Sequence, residues 1–137
     1  MTRSHPAPLK PGLEGFCERI VSHELTLANV NKDWPAVFST HAMVGMMELA
    51  SSHAVRDALP PGSITVGVRV EVDHLKAVPA GATVIAFSKL VEANGRRLTF
   101  EAEARSGEEL IGRGRIFHII VEHARFVSSA SGKLASR

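Results

Sequence analysis

Between residues 38 and 59 the apolar positions recur with a helical period. At about 100° per residue Met43, Met47, Ala50, Ala54 and Ala58 fall on one side, which predicts a helix laid on a core. Ser39 or Thr40 supplies the N-cap, because a hydroxyl there accepts a hydrogen bond from an amide in the first turn. The helix is expected to run to about Leu59, where Pro60-Pro61-Gly62 stops it. Glu48 lies off the apolar centre, on a flank with His41, Val44, Ser52 and Val55, where the helix could meet a cleft or a second subunit.

Elsewhere the period is two. Glu18 to Leu27 alternates in part and is read as a first strand, followed by a polar loop from Asn29 to Pro35 that holds the single tryptophan, Trp34. Ile64, Val66, Val68, Val70 and Val72 alternate with polar residues and describe a half-buried strand over Ile64–Asp73. Ala80-Gly81 turns the chain into a strand over Thr83–Glu92. Asn94-Gly95 then signals a hairpin, since both residues tolerate the positive φ of a type I′ turn. Strands over Arg97–Arg105 and Leu110–Glu122 follow, joined by a turn at Ser106–Glu109. Gly112 and Gly114 inside the last strand imply a bulge or a close backbone approach.

This order places one long helix against a sheet whose last four strands form a largely antiparallel meander, an α+β chain in which only that helix is available to cover the sheet's apolar face. A sheet wrapped around one long central helix is the hotdog arrangement. The domain is expected over residues 16–127, with an irregular, Pro-rich arm at 1–15 and a flexible Ser- and Ala-rich tail at 128–137.

Composition narrows the function. A chain of 137 residues with 45% hydrophobic content supports one core and leaves little for a second domain. The net charge of +2 is carried by scattered Lys and Arg, which argues against a nucleic-acid surface but leaves room for a pocket receiving an anion. One cysteine, Cys17, excludes an intrachain disulfide and fits a reducing cytoplasm. The first fifteen residues lack the apolar run of a signal peptide, and no stretch of 18 apolar residues suggests a membrane span.

The candidate chemistry is sparse. Glu48 is a carboxylate beside an apolar face, His74 closes a strand and can exchange a proton near neutral pH, and Gly67 interrupts a β-branched strand where a ligand could reach its amide. Among the seven histidines, His41 and His53 are twelve apart and His118 and His123 five apart, with no HExxH; this argues against a metal site.

The run Val37-Phe38-Ser39-Thr40-His41-Ala42-Met43-Val44-Gly45-Met46-Met47-Glu48, with Gly67, His74 and Pro79-Ala80-Gly81, resembles the hotdog thioesterase family that includes fluoroacetyl-CoA thioesterase. The similarity extends over roughly residues 16 to 126, through the Asn94-Gly95-Arg96-Arg97-Leu98 hairpin and Ile111-Gly112-Arg113-Gly114. The resemblance implies a homodimer, or a dimer of dimers, that hydrolyses a small acyl-CoA thioester at the subunit boundary without any cofactor beyond the coenzyme A of its substrate. It implies Thr40, Glu48 and His74 as the catalytic group and the Gly67 amide as the holder of the thioester carbonyl. Trp34 and Asn31 stand where the family enzyme has a pair of lid phenylalanines, and His118 stands where it has an arginine. Trp34, His41 and His118 are thus candidate substrate-binding residues, and Arg69, Lys76, Arg96 and Arg97 are candidates for the phosphates. Glu48 is either a general base or a nucleophile forming a transient anhydride. Rival readings are a non-catalytic acyl-CoA-binding module, a hotdog hydratase or dehydratase, and a structural dimer.

Overall fold

The computed structural model describes residues 8–135. Strand β1 (Glu14–Ile20) leads through a 3₁₀ turn (His23–Leu25) and a short helix α1 (Leu27–Val30) to the long helix α2 (Thr40–Val55), which ends in a 3₁₀ turn at Arg56–Ala58. Strands β2 (Ser63–His74), β3 (Thr83–Asn94), β4 (Arg97–Ser106) and β5 (Glu109–Glu122) follow, and helix α3 (His123–Ala135) continues from β5. The five strands form one antiparallel sheet in the order β1-β3-β4-β5-β2, with α2 packed on one face; β2 pairs with β5 and not with β3, so the four strands after the helix are not the expected simple meander. This is the hotdog fold.

Ser39, not Thr40, caps α2: its hydroxyl accepts from the Ala42 amide at 3.2 Å. The helix then buries Met43, Met46, Met47, Ala50, Ala54 and Val55 against the sheet. Each fully buried methionine contributes roughly 1.5–3 kcal/mol by leaving water. Gly15 on β1 permits the helix to lie this close, because a Cβ there would strike the Ala50 carbonyl and the Ala54 amide. Buried Ser51 bonds both the Met47 carbonyl (2.8 Å) and Ser88 on β3 (2.7 Å), so its hydroxyl is satisfied within the helix–sheet layer.

Several sequence expectations are corrected. The first strand lies at Glu14–Ile20, not Glu18–Leu27, so Glu14 and Gly15 belong to the sheet and not to an arm; residues 1–7 lie outside the described residues. Thr26, fully buried, closes the turn that follows by bonding the His23 carbonyl at 2.7 Å, a local bond that competes with extended structure. The stretch from Asn29 begins inside α1. Helix α2 gives way to a 3₁₀ turn after Val55, short of the expected Leu59. Asn94 pairs with Arg97, so the hairpin loop is Gly95-Arg96 with positive φ only at Gly95 (62°), which suits a glycine-first loop and not a type I′ turn. Residues 128–135, expected as a tail, lie in α3.

The largest difference is in β2. Its pairing with β5 shifts between Gly67 and Arg69, an irregularity of the bulge kind that leaves Val68 without a partner. An unbroken alternation would put Ile64 through Val72 on one side. Instead Thr65 bonds His118 from the helix side, Gly67 faces Glu48, and after the shift Val70 pairs with fully buried Ile116. Val68 and Val70 remain 56% and 41% exposed because β2 is an outer strand of the sheet, paired among the described residues with β5 alone.

Candidate active site

Two groups of polar residues face α2 from β2 and β5. At the start of the helix, Thr40 Oγ1 and His74 Nδ1 share a hydrogen bond of 2.8 Å. Because Ser39 already caps the helix, the Thr40 hydroxyl is left for this bond. Buried Phe38 meets the His74 ring edge-on, with centroids 6.1 Å apart, and fixes its plane. His74 Nε2 is buried and has no hydrogen-bond partner among the described residues, a position that a substrate or water can satisfy. The cavity beside this pair has a volume of about 260 Å³ and is lined by Leu27, Val37, Phe38, Thr40, His74 and the segment Leu75–Ala77.

Two helical turns further, Glu48 reaches the other group. Its Oε2 occupies the space where a side chain at Gly67 would sit, and a Cβ there would also lie 3.2 Å from Glu48 Cδ. Glu48 Oε2 stands 3.8 Å from Nε2 of His118, which is 2% exposed. His118 Nδ1 bonds Thr65 Oγ1 at 3.1 Å, and Thr65 Oγ1 lies 3.4 Å from Ser52 Oγ on α2. The Phe100 ring packs edge-on against the imidazole at 5.3 Å. Burial lowers the His118 pKa to about 4, so at neutral pH the ring is uncharged and its contact with Glu48 is not an ion pair. His118 Nε2 is buried and has no hydrogen-bond partner among the described residues, so its 3.8 Å approach to Glu48 Oε2 is a contact and not a hydrogen bond.

The sequence candidates therefore divide. Thr40 joins His74, and Glu48 joins Gly67 and His118. Thr40 and Glu48 are separated by about 12 Å of helix at 1.5 Å per residue, so one chain does not gather Thr40, Glu48 and His74 around a single atom. His41 is exposed, and its Nε2 lies 3.4 Å from Ser39 Oγ at the start of α2. Trp34 is 48% exposed in the loop before α2 and is not among the residues lining the cavity at Thr40. Thr65 was missed as a site residue; alternation alone gave it no distinction from its neighbours, and only its pairing opposite Ile120, next to His118, reveals its role.

Chemically, the arrangement offers a carboxylate against a strand backbone and an imidazole with a free ring nitrogen. A carboxylate so placed can activate water or attack a carbonyl, and an imidazole can carry a proton to a leaving group.

Comparison with known proteins supports the same chemistry. The model of the family described as fluoroacetyl-CoA-specific thioesterase matches residues 21–124. The fluoroacetyl-CoA thioesterase of Streptantibioticus cattleyicolor is 35% identical over 94 residues, covering 69% of this chain and 68% of that protein. A solved structure of the fluoroacetyl-CoA thioesterase FlK superposes with a TM-score of 0.86 at 28% identity, covering 93% of this chain and 98% of the other. A thioesterase superfamily member from Thermus thermophilus superposes with a TM-score of 0.85 at 29% identity over 95% and 96% of the two chains.

Proposed function

The chain belongs to the fluoroacetyl-CoA-specific thioesterase family, and from that premise we propose how its residues carry out hydrolysis of a small acyl-CoA thioester. It is a thioester hydrolase. The observation that carries the site reading is the packing of the Glu48 carboxylate into the space left by Gly67, which holds a base or nucleophile against a backbone amide that lacks a screening side chain.

In this reading the thioester carbonyl sits over Gly67, whose N–H stabilises the oxyanion as the carbon becomes tetrahedral. Glu48 either takes a proton from the attacking water or attacks the carbon itself; in the second case a mixed anhydride forms and water then cleaves it. The C–S bond breaks, the thiolate takes a proton from the site, and the acid and coenzyme A leave. The neutral His118, with Nε2 3.8 Å from Glu48 Oε2, lies beside the carboxylate without neutralising it, while His74, oriented by Thr40, handles the proton of the thiol. The 260 Å³ cavity beside Thr40 suits a short acyl group.

Two sets of residues separated along one chain work together if the site is shared between two copies. β2 has a free edge with exposed Val68 and Val70, and antiparallel self-pairing of that edge about a two-fold between Val70 and Glu71 sets His74 of one copy opposite Gly67 of the other. Thr40 and His74 of one subunit then meet Glu48 and Gly67 of its partner. A cytoplasmic location is supported by the single cysteine, Cys17, a buried thiol whose pKa burial raises against the opposing charge of Arg19. No helix among the described residues is long and apolar enough to cross a membrane.

The test is Glu48→Gln with a panel of short acyl-CoA thioesters and mass-spectrometric detection of free coenzyme A. Loss of hydrolysis with retained acyl-CoA binding is expected; turnover equal to the wild type would refute the assignment.

A further inference from the structure

Two glycines interrupt β5 beside His74 and take no part in the chemistry proposed for the site. Gly112 pairs with His74 and Gly114 with Val72. A Cβ at Gly114 would strike the Glu71 carbonyl and lie 2.8 Å from Val72 Cγ1, so β5 and the end of β2 run closer than a side chain between them would permit. A Cβ at Gly112 would strike the Met43 sulfur, lie 2.8 Å from the Met43 methyl and come within 3.1 Å of the Asp73 carbonyl. Met43 is 0% exposed, so its thioether has no open space to swing into. The thioether thus occupies the position of the side chain that Gly112 lacks.

Gly112 closes a row of short side chains. The register joins Cys17, Ala86, Ala104 and Gly112 across β1, β3, β4 and β5, and the same row ends on His74 of β2. The first four are buried on the helix side of the sheet, and they leave a trough whose last place before His74 receives Met43. The second half of α2 is held separately, by Gly15 beneath Ala50 and Ala54 and by the Ser51–Ser88 bond. In the first turn the Met43 amide donates to the Ser39 carbonyl at 3.1 Å, and Thr40 lies inside that turn. Where Met43 goes, Thr40 follows. The 2.8 Å bond between Thr40 and His74 therefore joins a helical turn seated by Met43 to a strand position paired with Gly112.

We propose that Met43 and Gly112 are positioning residues: the thioether seated on the bare glycine sets the spacing of α2 from β2 and β5, and through it the Thr40–His74 hydrogen bond that aims the His74 ring. The effect on turnover rests on the thioesterase reading, whereas the effect on the hydrogen bond does not. If Gly112 gains a methyl, either Met43 retreats and carries Thr40 with it, or the Asp73 carbonyl retreats and carries the adjacent His74. Both movements stretch the same bond. A hydrogen bond of this length weakens within a few tenths of an ångström, so a shift too small to disturb the fold is large for the site. The two glycines singled out by the pattern of β5 thereby acquire a reason: Gly114 draws β2 in, and Gly112 admits the helix beside it.

Release of coenzyme A from acetyl-CoA is measured, well below each Tm, for wild type, Gly112→Ala, Gly112→Ala/Met43→Val, Thr40→Val and Thr40→Val/Gly112→Ala. Gly112→Ala is expected to lower kcat roughly tenfold with KM nearly unchanged, since an ångström of misplacement costs about a hundredfold and half of that slip about tenfold. Met43→Val removes the two atoms that the new methyl meets and conserves the side-chain volume of the pair, so the double variant should recover most of kcat. In the Thr40→Val background Gly112→Ala should cost nothing further, because the bond it acts through is already gone. Equal losses with and without the Thr40 hydroxyl would overturn the proposal by assigning the contact to general packing. If Gly112→Ala alone does not fold, the volume-conserving double variant decides: kcat near wild type supports the seat, and a tenfold loss in folded protein overturns it. The ¹⁵N signals of the His74 imidazole report the hydrogen bond without turnover and should move in Gly112→Ala toward their positions in Thr40→Val; unmoved signals would overturn the proposal even where activity falls. Wild-type protein that cleaves no acyl-CoA, with those signals moving as expected, would overturn the thioesterase reading and leave the seat standing.

Discussion

Gly67 and His74 lie seven residues apart on β2 and face the same side of the sheet. In a regular strand an odd separation puts two residues on opposite faces. The irregularity at Val68 restores the parity, so that Gly67 meets Glu48 while His74 meets Thr40, both on helix α2. A bulge thus serves the site directly, by aiming two residues of one strand at one helix.

Because the Glu48 carboxylate fills the space of a missing side chain, Gly67→Ala is predicted to displace it. The added methyl meets Glu48 Oε2, the mobile end of a side chain, so the fold should survive and the chemistry should not. We expect kcat/KM to fall about a hundredfold, the order of loss that follows an ångström of misplacement, with little change in circular dichroism or Tm. Activity close to wild type would show that the carboxylate's position against the strand is immaterial.

Ser39 and Thr40 are adjacent hydroxyls with separable duties. Ser39→Ala should cost about 1 kcal/mol of stability through loss of the helix cap, leaving turnover largely intact. Thr40→Val should leave the cap and lower kcat roughly ten- to a hundredfold by releasing His74, and Thr40→Ser should recover most of it. Thermal unfolding and coenzyme A release, measured on the same three proteins, check the division.

Much of this was legible in the sequence. The helix, its buried methionines and alanines, and the β3–β4 and β4–β5 hairpins follow from period and turn residues, whereas the placement of β2 beside β5 does not; the Thr40–His74 contact joins two residues of the motif resemblance. What escaped depended on contacts distant in sequence. Gly15 reads as tail until Ala50 and Ala54 are packed on it, and Val68 reads as one more alternating valine until β5 fails to pair with it. His118 reads as a substitution in a pocket until its burial against Phe100 and its 3.8 Å approach to Glu48 are seen.

The buried His118 makes stability fall in acid. Its folded pKa of about 4 is below the ordinary 6.5 because burial disfavours the charged ring; the unfolded chain therefore binds the proton first. The stability linked to it is present above about pH 6.5 and lost as the pH falls through about 4. The shift from 6.5 to about 4 corresponds to an expected loss on the order of 3 kcal/mol across that window. Urea unfolding between pH 7 and 4 should show this slope in the wild type and a flatter one in His118→Gln; parallel slopes would contradict the assignment.

If Glu48 forms an anhydride that water cleaves at the glutamyl carbonyl, a single turnover in H₂¹⁸O leaves one labelled oxygen in the enzyme carboxylate and the product initially unlabelled. If it acts as a general base, the label enters the acid at once and never the enzyme. Label found by mass analysis in the peptide containing Glu48 after a single turnover establishes the anhydride route, since a general base never acquires it.

The most direct test of a site shared between subunits mixes two inactive proteins, Glu48→Gln and His74→Ala, under conditions that allow exchange of subunits. In each mixed dimer one site combines Glu48 from the second protein with His74 from the first, so random mixing should restore about a quarter of wild-type activity. Mixed dimers that form and show no hydrolysis would contradict the account.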